Sequence, residues 1–322
     1  MTMRHLLPAL CACLTASFAC GSKDAAPTAT RPTASAAAAH APLRTSVSWP
    51  GYRLERTLGR SGDGAGELKT PMGLDVNAAG EIVVADTGNA RMELLSAQGE
   101  QLWSYAGEGE EALGRPMDVA FAPDGSLWVA DFERDALVHL AGSGTLIERR
   151  VGDASPKSPA GVIVLPDGRL VVSSFYDHAL RVYGGQGSAG TIGTEGDSEG
   201  QFHYPTGMTL DATGRLWVAD SYNHRVQRFD ANFEYETSLH GSDTNKLEVP
   251  VGVAWLDGVL HIADSGHHRV VALDPVTGLI LSEWRVPGTR EIHTPSRIVA
   301  SGERLYVTDP AGDRIYVLRK AE

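Results

Sequence analysis

One phrase recurs along this chain. It reads GRLWVADSYNHRVQRFD from Gly214, GEIVVADTGNARMELLS from Gly80, GVLHIADSGHHRVVALD from Gly258 and ERLYVTDPAGDRIYVLR from Glu303. Two landmarks keep its register. A proline opens each unit, at Pro71, Pro116, Pro159, Pro205, Pro250 and Pro295, with spacings of 45, 43, 46, 45 and 45 residues. The residue closing the VAD-type stretch, at Asp86, Asp131, Ser174, Asp220, Asp264 and Asp309, is spaced by 45, 43, 46, 44 and 45. A period of this size means stacked supersecondary units, because no single unit can bury its own apolar face.

Each unit carries a short apolar run after the proline (GMTL), a tight Gly turn (DATG), a second apolar run (RLWVAD), a four-residue turn, a third run (RVQRF), a fourth (YETSL) and a Gly-rich loop. Short runs of β-forming residues between turn residues are strands. Four strands in about 45 residues make a propeller blade. The unit opened by Pro295 ends at Glu322 after three strands, while YRLERTLGRSGDGAGELKTP (from Tyr52) aligns with GTIGTEGDSEGQFHYP (from Gly190), the end of another unit. The expected fold is therefore all-β: a six-bladed β-propeller over residues 48–322, closed by an N-terminal strand that joins the C-terminal blade and leaves no free sheet edge.

These units resemble the NHL repeat, above all GQFHYPTGMTLDATGRLWVADSYNHRVQRFD and the units opened by Pro71 and Pro250. The resemblance implies a binding or scaffolding propeller. Some six-bladed relatives are enzymes, and their pattern can be sought here. The position after each proline, where peptide-amidating lyases of this type carry zinc-binding histidines, holds Met72, Met117, Ala160, Thr206, Val251 and Ser296, so that centre is absent. Streptogramin lyases use a histidine with magnesium; His203 and His293, each two residues before a proline, are the channel-side candidates. No cofactor is expected on the leading reading; a channel-bound divalent metal belongs to the alternative, a metal-dependent lyase or hydrolase working at the central channel.

The chain outside the repeat speaks to location. Cys11, Cys13 and Cys20 all lie in the first twenty residues, so the repeat region has no disulfide and no thiolate site. Arg4 precedes an apolar run from Leu6 to Ala19, too short to span a bilayer and of the size of a secretory signal. The sequence SFAC ending at Cys20 resembles a bacterial lipoprotein signal, which implies cleavage after residue 19 and lipidation of Cys20. Residues 20–47, rich in Ala, Pro, Thr and Ser, read as a disordered tether. The expectation is an exported protein of the bacterial cell envelope, monomeric, touching membrane only through an N-terminal lipid. A net charge of −12 argues against a nucleic-acid partner, since phosphate backbones select basic surfaces.

Asp and Arg stand five residues apart in four units: Asp86/Arg91, Asp220/Arg225, Asp264/Arg269 and Asp309/Arg314. That spacing lets the pair meet across a hairpin turn, so it reads as a structural brace. His178, His224 and His268 share one register of the same turn and read as turn residues on separate blades that do not converge. Departures from the repeat mark the candidate ligand surface. Phe132, Arg134, Phe175, Tyr176, Asp177 and Tyr222 in the turns, with His203 and Tyr204 in QFHYP, are expected on one face as exposed aromatics beside charges. Loop-against-loop packing is the alternative for those rings. Two residues after each proline, Gly gives way to Asp118 and Arg297; near the channel mouth these would orient a polar ligand or pair with each other. The expected partner is a protein, peptide or small polar ligand.

Overall fold

A computed structural model describes residues 49–151, 156–184, 190–286 and 293–322. The signal segment, Cys20 and the tether expected over 1–47 lie outside the described residues. Among the described residues no helix is long and apolar enough to cross a membrane.

Six four-stranded antiparallel sheets follow one another in chain order. Blade one consists of Pro71–Val76, Ile82–Asp86, Arg91–Leu95 and Gln101–Tyr105. Blades two to five occupy residues 116–150, 159–192, 205–239 and 250–284. Blade six combines Ile298–Ser301, Arg304–Asp309 and Arg314–Lys320 with the N-terminal strand Tyr52–Leu58. Tyr52 pairs with Lys320 and Leu58 with Ile315, so the two ends of the propeller lock into one sheet.

The core is a ring of six apolar clusters, one at each blade junction. Second strands such as Leu216–Asp220 are buried throughout, because both faces of a blade's middle are covered by neighbours. Fourth strands such as Gln101–Tyr105 alternate with solvent. Gly73, Gly161, Gly207 and Gly252 leave no room for a Cβ: at Gly252 it would fall 2.2 Å from the Ser296 carbonyl oxygen. The inner strands thus approach each other around the channel more closely than any side chain allows.

The recurring Asp works as a brace for the loop leading into its blade. Asp220 Oδ1 accepts the His203 N–H at 2.7 Å, and the Arg225 Nε donates to Oδ2 at 2.7 Å. The rest of the Arg225 guanidinium donates to the carbonyls of Asp197, Ser198 and Gln201, holding the Gly-rich loop. Arg91 repeats this with Asp86 at 2.8 Å and the carbonyls of Asp63, Gly64 and Glu67. Arg269 meets Asp264 at 2.9 Å. The fork of donors on a guanidinium suits such a multi-carbonyl clamp, which a lysine could not reproduce.

The fourth expected pair does not form. Asp309 instead takes the ring Nδ1 of His293 and the Tyr316 hydroxyl, and Arg314 turns its Nε to the Gly312 carbonyl. His293 does the work of the guanidinium there. Blade two, with Ala136 at the Arg position, borrows Arg149 from its fourth strand, 3.2 Å from Asp131. In blade three, Ser174 donates to Asp177, which pairs with Arg181 at 3.0 Å.

Candidate functional site

The loop before each proline and the turn after each VAD stretch share one face, since Pro205 pairs with Asp220 and Asp220 with Arg225. Position four of that turn is left-handed in all six blades, at Ala90, Asp135, His178, His224, His268 and Asp313, with φ between 48° and 54°. At every one of these stations except Ala90 the side chain latches onto the loop leading into the next blade. Asp313 accepts the Thr70 N–H and Asp135 the Ser158 N–H, both at 2.7 Å. His268 Nδ1 lies 2.8 Å from the His293 carbonyl, and His178 Nδ1 accepts the Tyr204 N–H at 3.1 Å.

The aromatic residues of blades two to four form one continuous network on this face. Phe132 lies 5.8 Å from Phe175 and 5.8 Å from Tyr176; Phe175 lies 4.6 Å from Tyr204; Tyr204 lies 4.9 Å from Tyr222 and stacks on His203 at 4.8 Å. Not all of it is exposed, which corrects the expectation for two rings. Phe132 and Phe175 are buried against Met72 and Met117 and make an apolar plug on one side of the channel. They pack inward onto these two methionines, with Ala160 and Tyr204 partly buried against the same cluster. Tyr176 and Tyr222 remain exposed at 46% and 36% and present the surface. Tyr204 sits at φ 57°, a strained setting for an aromatic residue, where Thr70 and Ser158 stand in blades one and three. Arg134 is exposed with its stem over Gly114, whereas Asp177 is half-buried and pairs with Ser174 and Arg181.

Below the plug, Asp118 and Arg297 meet as a buried pair, Nε to Oδ1 at 3.2 Å. Asp118 also accepts the Val162 N–H, and Arg297 donates to the Met208 carbonyl, so the guanidinium links blades six, two and four across the channel. A cavity of about 320 Å³ lies on the far side, lined by Asp75, Arg297, Trp255 and the ends of the first strands. Burial pushes the Asp118 carboxyl up to about 6 against the opposing pull of Arg297, and burial raises Asp75 as well.

The two histidines expected at the channel do not face each other. His293 is buried with Asp309 and Tyr316, while His203 meets His178, ring centroids 5.2 Å apart. His178 holds the turn station as His224 and His268 do on their own blades, and it also meets the loop leading into the next blade. Glu195 completes a group, since ligand atoms of His178, Glu195 and His203 all lie within 4.8 Å of one another. Burial holds the His178 imidazole below its ordinary pKa, with Glu195 pulling the other way. Glu195 was silent in the sequence; aligning GTIGTEGDSEGQFHYP with RTLGRSGDGAGELKTP, where Ser61 stands, was the signal available.

The fold is that of a six-bladed β-propeller with four-stranded blades and a closed ring. Residues 202–229 match the NHL repeat family, and this stretch forms part of the fourth blade of the propeller. It is similar to NHL repeat-containing protein 2 of Homo sapiens, 23% identical over 276 residues, which covers 62% of this chain and 38% of that protein. It is also similar to NHL repeat-containing protein 3 of Homo sapiens, 28% identical over 162 residues, covering 46% of each. The chain thus spans less than half the length of these curated relatives. Among solved structures, virginiamycin B lyase from Staphylococcus aureus with quinupristin superposes with a TM-score of 0.60 at 16% identity, over 84% of this chain and all of the lyase chain. At that identity the likeness is one of fold.

Proposed function

We propose that this chain is an exported, lipid-anchored NHL-type propeller that binds a protein, peptide or small polar ligand on its loop face, at the aromatic surface of blades two to four. One observation carries the reading: the unbroken ring network that starts from the buried Phe132 and Phe175 and emerges at Tyr176, Tyr204 and Tyr222. Rings anchored from below lose little conformational freedom on contact, and their amphipathic edges suit a polar partner. The fold likeness to a lyase leaves catalysis at the channel as the second reading. It ranks behind because Asp118 and Arg297 are committed to each other, and His293 to Asp309.

Because Tyr176 and Tyr222 are exposed, the double variant Tyr176→Ala/Tyr222→Ala is expected to melt within about 2 °C of the parent. In matched affinity captures from a cell-envelope extract it should lose the components that the parent retains. Identical sets of retained components, with both proteins folded, would remove this surface from consideration. The anchor is tested separately. Cys20→Ser is expected to move the protein from the detergent-requiring membrane fraction to the aqueous fraction; unchanged partitioning would show that no lipid on Cys20 holds it.

A further inference from the structure

We propose that His178, Glu195 and His203 form a binding site for a divalent first-row transition-metal ion, on the loop face where blade three meets blade four. The three side chains come from three segments that the fold fixes independently. His178 is the left-handed residue of the blade-three turn. Glu195 lies in the Gly-rich loop, where its backbone bridges to Phe202. His203 belongs to the loop leading into blade four, anchored by its N–H on Asp220. Their ligand atoms fall within 4.8 Å of one another.

The repeat supplies its own control. At the junction of blades six and one, the equivalent stations hold Asp313, Ser61 and Lys69, on the same backbone, with the same bridge from Ser61 to Leu68. There the Ser61 hydroxyl donates directly to Asp313 at 2.7 Å, and the station is closed. At the junction of blades three and four, His178 Nε2 and Glu195 Oε1 stand 4.0 Å apart, too far for a hydrogen bond. Neither ring nitrogen of His203 has a hydrogen-bond partner among the described residues. Ligands about 2.0–2.2 Å from one ion lie roughly 3–3.5 Å from each other, so a modest inward swing of the exposed Glu195 closes the shell.

The donor set selects the ion. Two imidazoles and one carboxylate suit zinc and its first-row neighbours; calcium and magnesium call for shells of oxygen. Tyr204 stiffens the pair of rings: His178 lies 4.3 Å from it and His203 stacks on it at 4.8 Å. The Tyr204 N–H now donates to His178 Nδ1. A neutral imidazole with Nδ1 as acceptor carries its hydrogen on Nε2, so ligation requires His178 to turn its ring over or surrender that amide. The amide of Tyr204 therefore reports on metal capture. Three protein ligands leave at least one coordination position open, beside Tyr222, whose ring is 6.0 Å from His203. The site goes beyond the ligand surface proposed above and is tested without any knowledge of that ligand.

The test uses the full chain with Cys11, Cys13 and Cys20 replaced by serine, so that no thiolate competes for the ion. Titration with Zn²⁺ by calorimetry should show one saturable site with a Kd of about 1 µM or tighter. The ¹H–¹⁵N resonance of Tyr204 should shift in step with saturation. Since even outer partners of a metal site are worth about 10- to 100-fold in affinity, His178→Ala/His203→Ala should weaken binding by roughly 100-fold or more. Glu195→Gln, at an exposed position that leaves the fold intact, should weaken it by about tenfold. His224→Ala/His268→Ala, which removes the equivalent turn histidines elsewhere, should bind as the parent does. No saturable site tighter than about 100 µM, or parent-like affinity in both the His178/His203 and Glu195 variants, would overturn the proposal. So would loss of binding in the His224/His268 variant with the Tyr204 resonance unmoved.

Discussion

Replacing Arg297 by methionine is expected to destabilise the propeller by about 3–5 kcal/mol at pH 8, and by clearly less at pH 5. Arg297 is the buried cation facing Asp118 at 3.2 Å, and Asp75 lies in the same field. Removing it strands buried carboxylates without a counter-charge, the costliest way to break such a pair. The pH dependence follows from the sign of the shift. Burial first, and the charge of Asp75 among the lesser causes, raise the folded Asp118 pKa from 3.8 to about 6, with Arg297 opposing. A group whose folded pKa is raised binds its proton more tightly when folded. The stability it contributes is fully present below the unfolded value and is lost as pH rises through the folded one. In the parent that window runs from 3.8 to about 6 and is worth roughly 3 kcal/mol. Without Arg297 the Asp118 pKa climbs further, and the loss extends to higher pH. Urea denaturation of parent and variant at both pH values checks this. Equal destabilisation at pH 5 and pH 8 would mean that packing, not charge, is what Arg297 supplies. The pairing also predicts that adding Asp118→Asn to the methionine variant restores a large part of the loss at pH 8, because the stranded charge is gone.

A chain that begins at residue 60 is expected to lose its cooperative unfolding transition and to aggregate. Tyr52–Leu58 is the fourth strand of blade six, paired with the C-terminal strand along its length. Its removal bares the edge of Arg314–Lys320, an invitation to intermolecular strand pairing. It also empties the place of Leu58 in the cluster with Leu68, Tyr306 and Ile315, and of Trp49 beside Val259 and Ala272. Lost ladder bonds at about 1 kcal/mol each and lost apolar burial together reach the order of the whole stability of a domain. Joining residues 49–59 after Glu322 through a short linker should restore a single transition, because the strand then reaches the same edge from the other terminus. A truncated chain that still melts cooperatively within a few degrees of the parent would show that the ring does not depend on this closure.

The blade number, the closing strand and the braces of blades one, four and five were legible in the residues, because each is written in a repeated register. The substitutes were not. Arg149 serving Asp131 comes from the fourth strand, His293 serving Asp309 from the preceding loop, and Asp177 and Arg181 serve Ser174 from shifted positions of the turn and third strand, so the repeated Asp-to-Arg spacing carries no record of them. The candidate surface was half legible. The turns announced which aromatic residues share a face, but not that Phe132 and Phe175 turn inward onto Met72 and Met117. That choice depends on the space left between blades, which no single unit contains.

What the sequence determined by itself is therefore everything periodic: strand order, turn positions and ring closure, all set by local propensity and by the need of each unit to bury its faces on the next. What only the tertiary structure decided is everything that joins one unit to another. Asp118 finds Arg297 across the channel, and His178 finds Glu195 and His203 across a blade junction. The physical reason is that a closed ring brings together residues far apart in the chain, at distances fixed by blade geometry and not by spacing in the sequence.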